Sequence, residues 1–320
     1  MINSLEEKVI GRGSITKDEA LKISAVQGAE IFGLFAAANK IRSTFRGDFV
    51  DLCAIVNAKS GACPEDCSYC AQSSRSRTET SIYPLINKNA VIEKAREARD
   101  AGVKRFCIVT SGRKIGENEL KEICSMIKDV RALGLLPCST LGLLNKDELG
   151  RLKDSGLERY HHNLETSERF FPEICRSHTF SDKLKTIDAA LSAGLSVCSG
   201  GIFGLGETWE DRIDMAFKLK ELPIDSVPVN YLIPVKGTPM EEQDLLNPFE
   251  ALKIVSLYRF ILPQKEIRIC GGRMQVLGEL NSMVFMAGAD SLLTGNYLTT
   301  TGRSYGDDFR LISECGLRTV

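Results

Sequence analysis

From residue 50 onward, short apolar runs alternate with longer amphipathic segments, and this alternation organises most of the chain. The apolar runs predict strands over 52–57, 105–110, 136–139, 159–163, 196–200, 226–232, 267–270 and 291–295. Apolar positions at helical spacing predict helices between them, over 89–101, 118–133, 146–155, 181–193, 208–222, 248–262 and 274–287. Gly102, Gly134, Gly156 and Gly194 follow four of these helices, where a terminating glycine belongs. Residues 1 to about 48 read as helical: Thr16-Lys-Asp-Glu19 is a capping-box pattern, and 29–41 is rich in helix formers. Eight strands in βα alternation predict an α/β fold, a (β/α)8 TIM-type barrel over residues 49–320 behind an N-terminal helical extension over 1–48. Active-site groups then belong at the C-terminal ends of the strands. An open parallel sheet of the same segments is the alternative.

Composition adds exclusions. The length of 320 residues suits an α/β barrel as one domain, and 43% hydrophobic with 26% charged residues is ordinary for a soluble globular protein. A formal net charge of −1 gives no electrostatic case for nucleic acid or a membrane surface. The start, MINSLEEKVIGRG, shows no export or transit pattern, and no apolar run approaches a membrane span. Eleven cysteines, an odd number without a leader, point to free thiols in a reducing cytoplasm.

Chemistry concentrates in Cys63, Cys67 and Cys70, a CxxxCxxC triplet in GACPEDCSYCAQSSR. Four-iron clusters normally take four cysteines, so three close thiolates can hold one and leave an iron open for a small ligand. Half of a structural zinc site is the competing reading, but no second ligand pair lies nearby in sequence. Five more cysteines fall on predicted strands: Cys53, Cys107, Cys138, Cys198 and Cys270. Each alone reads as a small buried hydrophobe. Together they can converge on a second cluster, because barrel interiors are otherwise filled by Val, Ile and Leu. Parallel strands are apolar on both faces, so alternation does not give the direction of Cys107, Cys138 and Cys198.

Three polar patterns surround these cysteines. In IRIC, Arg268 and Cys270 share one face, and a guanidinium there needs a partner. The outward alternative pairs Arg268 with a helix carboxylate. His161, Asn163 and Glu165 alternate onto one face and suit a ribose and a polar substrate group, or else a solvent-facing strand end. The run GGIFGLGE lacks the order of a dinucleotide fingerprint, and its glycines suggest close approach to a flat ligand. Asn230, amid apolar neighbours, suits an amide or urea ring or a satisfied core position.

The triplet resembles that of the radical S-adenosylmethionine (SAM) enzymes, in which the open iron takes the methionine end of SAM and an electron releases a 5′-deoxyadenosyl radical. The motifs together resemble the biotin synthase family from about residue 30 onward: NAKSGACPEDCSYCAQSSR, FCIVTSGR, HHNLETS, VCSGGIFGLGET, SVPVNYL, KGTP and EIRICGGR. The resemblance implies a sulfurtransferase that converts dethiobiotin to biotin with sulfur from an auxiliary iron–sulfur cluster. It implies Cys63, Cys67 and Cys70 as ligands of a SAM-binding 4Fe–4S cluster, and Cys107, Cys138, Cys198 and Arg268 as ligands of the auxiliary one. It also implies SAM contacts at Tyr69, Asn163, Glu165 and Ile202, and substrate contacts at Asn163, Asn230, Thr300 and Thr301.

The chain departs from the family pattern at His161, where many members have Asn, at Cys270, where many have Ser, and at Cys53. Cys270, or else Cys53, in place of Arg268 would suit a 4Fe rather than a 2Fe–2S auxiliary cluster. Implied partners are a flavodoxin- or ferredoxin-type electron donor, iron–sulfur assembly proteins and a second copy in a homodimer, with no nucleic acid and no membrane. The rival readings are a related radical SAM barrel of the hydrogenase-cofactor maturase type and a non-catalytic iron–sulfur carrier.

Overall fold

The computed structural model describes residues 1–296, 298 and 302–320. Its centre is a closed barrel of parallel strands: β1 (Phe49–Lys59), β2 (Arg105–Thr110), β3 (Leu136–Thr140), β4 (Arg159–His161), β5 (Ser196–Cys198), β7 (Ser226–Tyr231), β8 (Glu266–Ile269) and β9 (Ser291–Leu293). A short continuation of β5, named β6 (Gly201–Phe203), pairs with β7, and β9 pairs back to β1 to close the ring. Asp51 opposite Ser291 and Cys53 opposite Leu293 set that closing register. A last strand, β10 (Arg318–Thr319), adds to the start of β1.

The helices form where local chemistry predicts them. Asn87, Asn145, Thr179 and Thr208 each accept a hydrogen bond from the first turn of the helix that follows, satisfying amides without an intrahelical partner. Gly102, Gly134, Gly156 and Gly194 all have φ between 74° and 99°, where a Cβ would be strained. The predicted helix over 274–287 is instead broken into Arg273–Leu277, a 3-10 turn Gly278–Ser282, and Met283–Met286. Gly278, at φ 49°, interrupts the helical path. Sequence patterning also passed over the short helix Phe171–Ile174 and the terminal helix Tyr305–Glu314.

Three helices precede the barrel: α1 (Ile2–Ile10), α2 (Lys17–Ser24) and α3 (Glu30–Arg46). Thr16 and Glu19 form the expected capping box of α2. Leu34, Phe35, Ala38 and Ile41 of α3 are buried, and Phe35 stacks on Phe249 with ring centroids 6.4 Å apart. The helix Pro248–Ile261 is buried at every position from Ala251 to Ile261, because the barrel covers one side and the N-terminal helices the other. At its far end Arg259 donates to Asp290 at 2.6 Å, and Arg46 of α3 reaches the same carboxylate at 2.6 Å. Asp290 also accepts from the Ile267 amide at 2.8 Å, so one buried carboxylate joins the extension, a barrel helix and β8.

Candidate active site

β1 ends at Lys59, and the loop behind it carries the cysteine triplet over the C-terminal mouth of the barrel. Backbone bonds fold that loop tightly: Cys63 N donates to Gln72 O at 3.1 Å, Ser74 N to Cys63 O at 2.8 Å and Cys70 N to Cys67 O at 3.0 Å. The Asp66 carboxylate accepts from the amides of Arg176 and Ser177 at 3.0 and 2.9 Å, clamping the loop to the segment after Ile174. Gly237 supports the other side by accepting from Arg77 N at 2.8 Å, and a Cβ there would lie 2.1 Å from Arg77 O. That contact accounts for the glycine of the KGTP run. All three triplet thiols are half-buried and free.

Below the loop lies a cavity of about 380 Å³. Its rim includes Tyr69, Cys70, Asn163, Glu165, Ile202 and Asn230. The alternation expected for His161, Asn163 and Glu165 holds, since all three line the cavity while Tyr160, His162 and Leu164 are buried on the other side. Glu165 has φ 73°, unusual for a non-glycine residue. Its Oε2 is buried without a hydrogen-bond partner, while Oε1 is 3.8 Å from Lys183. Burial raises the Glu165 pKa, and Lys183 opposes that shift. Burial also lowers the His161 pKa to about 4, with Lys183 and Arg268 reinforcing it, so the ring is neutral at physiological pH.

Two polar residues are partly committed to the backbone. Asn163 Oδ1 accepts from Gly200 N at 3.1 Å. Asn230 donates to Gly201 O at 3.2 Å and accepts from Gly271 N at 3.0 Å, leaving half of its amide capacity for a ligand. The glycine run differs from its expected role. A Cβ at Gly200 would lie 1.9 Å from Pro228 O, and one at Gly201 would lie 2.4 Å from Glu165 O. These two glycines let protein strands pack closely, not backbone approach a ligand. The Glu207 side chain then caps the turn by accepting from Gly204 N and Leu205 N at 3.0 and 2.7 Å.

Deeper in the barrel, Cys53, Cys107, Cys138, Cys198 and Cys270 are all buried and all line the same cavity. Cys107 stands opposite Cys138 across β2 and β3. Burial raises every one of these thiol pKa values, to about 11 for Cys198. Beside them sit three buried guanidiniums, Arg105, Arg159 and Arg268. Arg268 faces inward with Cys270; its Nη2 pairs with Glu266 and lies 3.4 Å from Asp51, while Nη1 donates to Leu292 O at 3.1 Å. Burial works against the Arg268 charge, but Glu266 and Asp51 outweigh it and raise the pKa. Five thiols in one cavity, beside guanidiniums paired with Asp51, Glu158 and Glu266, form a donor set suited to an iron–sulfur cluster.

Comparison with known proteins places this arrangement. Residues 58–219 match the model of the Radical SAM superfamily, and residues 228–318 match the Biotin and Thiamin Synthesis associated domain. A biotin synthase of Thermodesulfovibrio yellowstonii is 54% identical, with 92% of this chain and 93% of that protein aligned. One from Pelotomaculum thermopropionicum is 46% identical across 100% of both chains. The chain belongs to the biotin synthase family.

Solved structures share the family's barrel. A methylornithine synthase superposes with a TM-score of 0.86 at 21% identity over 99% of this chain and 97% of that one. The FeFe-hydrogenase maturase HydG from Carboxydothermus hydrogenoformans gives 0.84 at 19% identity over 99% and 79%. At those identities the likeness concerns the fold alone, and the maturase reading is not favoured over biotin synthase. No helix among the described residues is long and apolar enough to cross a membrane.

Family membership implies a 4Fe–4S cluster and SAM, and the residues present suit both: Cys63, Cys67 and Cys70 stand in one closed loop, of which Cys70 lines the cavity, and the orphaned Glu165 Oε2 offers an acceptor for a hydroxyl. Thr300 and Thr301 lie outside the described residues. Sequence reasoning missed Lys183, Cys175 and His178. Lys183 occupies an apolar-stripe position with Phe180, Thr186 and Ile187, a signal that a lysine there is buried. Cys175 and His178 sit more than a hundred residues from the triplet, yet the fold brings them beside Cys67. Local spacing carries no trace of that approach.

Proposed function

We propose that this biotin synthase family member inserts sulfur into dethiobiotin, with Cys63, Cys67 and Cys70 holding the SAM-binding cluster and the inner cysteines holding the sulfur-donating one. The observation that carries the reading is a single cavity lined by Cys70, Asn163 and Glu165 at its mouth and by five buried cysteines below. When bound, these groups supply the hydrogen-abstracting radical and the sulfur atom. The chain holds the reacting atoms in fixed geometry and excludes competing hydrogen donors. Asn163 and Glu165 receive the ribose, Tyr69 and Ile202 flank the adenine, and Asn163, Asn230 and His161 face the ureido ring. Thr300 and Thr301 are assigned to the substrate carboxylate. Anaerobic incubation of reduced, cluster-loaded protein with SAM and dethiobiotin should yield both 5′-deoxyadenosine and biotin. Absence of both defeats the reading.

Glu165→Gln should weaken SAM binding by about 10–100-fold, the worth of roughly 1.5–3 kcal/mol for hydrogen bonds to a charged group. The Glu165 pKa is raised by burial, so its carboxylate is lost on acidification earlier than an ordinary one. SAM binding to the parent protein should therefore weaken as pH falls through that raised value, and the glutamine variant should lose this dependence. Calorimetric titration with SAM across pH checks both outcomes.

The auxiliary ligands are assigned to Cys107, Cys138 and Cys198 with Cys270, ahead of Cys53 and Arg268. Support comes from Arg268, whose terminal nitrogens are engaged by Glu266, Asp51 and Leu292 O, while Cys270 faces the cavity as a free thiol. Four thiolates suit a four-iron auxiliary cluster. Mössbauer spectra of reconstituted protein should show it, and Cys270→Ser should lose it; a two-iron auxiliary site in the parent protein would refute the assignment. A flavodoxin- or ferredoxin-type reductant, iron–sulfur assembly proteins, a homodimer and a cytoplasmic setting complete the proposal.

A further inference from the structure

The Cys175–His178 pair is not used by the proposed reaction, and it lies against a triplet cysteine. Cys67 Sγ and Cys175 Sγ are 3.7 Å apart. Cys175 Sγ lies 3.3 Å from His178 Nδ1 and 3.8 Å from Nε2, and the three ligand atoms of Cys67, Cys175 and His178 all fall within 4.8 Å of one another. A tetrahedral zinc ion with ordinary Zn–S and Zn–N bonds separates two sulfurs by about 3.8 Å and a sulfur from a nitrogen by about 3.5 Å. The spacing between the two thiols therefore already matches a metal's edge length, and Nε2 of the ring stands slightly beyond the sulfur–nitrogen edge. Cys175 and His178 are buried, and Cys67 is half-buried.

The surroundings also suit a metal. Glu65, itself buried, takes His178 Nδ1 as a hydrogen-bond partner, which leaves Nε2, 3.8 Å from Cys175 Sγ, as the ring nitrogen open to a metal. A carboxylate behind the ring nitrogen is the usual way a metal-ligating histidine is oriented. Glu65 is fixed in turn by Ser177 Oγ at 2.6 Å and Arg113 Nη1 at 3.2 Å. Asp66 Oδ1 accepts from the amides of Arg176 and Ser177 and also from the Cys175 thiol at 3.4 Å, which fixes Cys175 beside Cys67.

We propose that Cys67, Cys175 and His178 form a site for one zinc-class divalent cation in the cluster-free protein, oriented by Glu65. Binding forms two metal–thiolate bonds and one metal–imidazole bond, and the two thiol protons pass to solvent. The site's existence is independent of the proposed reaction. Its consequence rests on the reading of Cys67 as a cluster ligand: Cys67 cannot serve both, so the cation blocks assembly of the SAM-binding cluster.

The test uses the full chain stripped of clusters, anaerobic and reduced, titrated with Co²⁺ as a spectroscopic stand-in and then with Zn²⁺ in competition. The parent protein should bind one Co²⁺ with a thiolate-to-metal charge-transfer band. Cys175→Ala and His178→Ala should abolish that band, Glu65→Gln should weaken binding by about 10–100-fold, and the Cys63→Ala/Cys70→Ala double variant should retain it. Cys175→His keeps a ligand atom and should still bind, which separates lost coordination from lost folding. If the band survives Cys175→Ala and His178→Ala but disappears in the Cys63→Ala/Cys70→Ala variant, the triplet alone takes the metal and the proposal is wrong. In a second arm, Zn²⁺ should suppress cluster uptake by the parent protein but not by Cys175→Ala. Equal suppression in both overturns the competition, while leaving the sulfur-insertion reading to its own assay.

Discussion

Cys70→Ala is expected to give a folded barrel that makes no 5′-deoxyadenosine from SAM, a loss of at least about three orders of magnitude, or roughly 4 kcal/mol of barrier. On the proposed assignment the four-iron cluster has only three thiolate ligands, and two are too few to hold it. The fold should survive because the loop is closed by main-chain bonds, Cys63 N to Gln72 O and Ser74 N to Cys63 O, that do not use the Cys70 sulfur. Iron content, the absorbance of the reconstituted cluster and 5′-deoxyadenosine release measure the effect. Cys124→Ala is the matched control, since that half-buried thiol on the helix Glu117–Ala132 does not face the cavity. Full turnover by Cys70→Ala would remove the triplet from the site.

Asp290→Ala carries the largest expected loss of stability, about 3–5 kcal/mol. Its side chain is 1% exposed and accepts from Arg259, Arg46 and the Ile267 amide. Removing it leaves the buried Arg259 guanidinium without its counter-charge and an amide of β8 without its acceptor. The neighbouring residue on β8 is Arg268, so the damage should reach the inner cysteine layer. Chemical denaturation of the cluster-free protein should show the lowered midpoint, and cluster loading should fall with it. A midpoint within about 0.5 kcal/mol of the parent, the ordinary range for surface changes, would contradict the argument.

Much of the architecture was legible locally. The capping box at Thr16 and Glu19, closing glycines at 102, 134, 156 and 194, and the apolar stripes before them report short-range physics that acts within one turn of chain. The segment over 273–287 was less legible, because its apolar residues keep helical spacing while Gly278 takes a left-handed backbone. Alternation predicted the shared faces of Arg268 with Cys270 and of His161 with Asn163 and Glu165, since polar residues on a strand mark one side. It was silent on Cys107, Cys138 and Cys198, whose neighbours are apolar on both faces.

The sequence by itself determined which residue types are available: a CxxxCxxC triplet, cysteines on successive strands and an arginine among them. Those follow from spacing along the chain, which needs no fold. Tertiary structure decided what each one meets. Barrel closure through β1 and β9 turns Cys53 and Cys270 toward the same cavity as Cys107, Cys138 and Cys198. It also sets Arg268 against Asp51, a residue more than two hundred positions away. The same long-range packing carries Cys175 and His178 to Cys67. Such contacts depend on where distant segments come to rest, and burial and charge compensation settle that only once the barrel is complete.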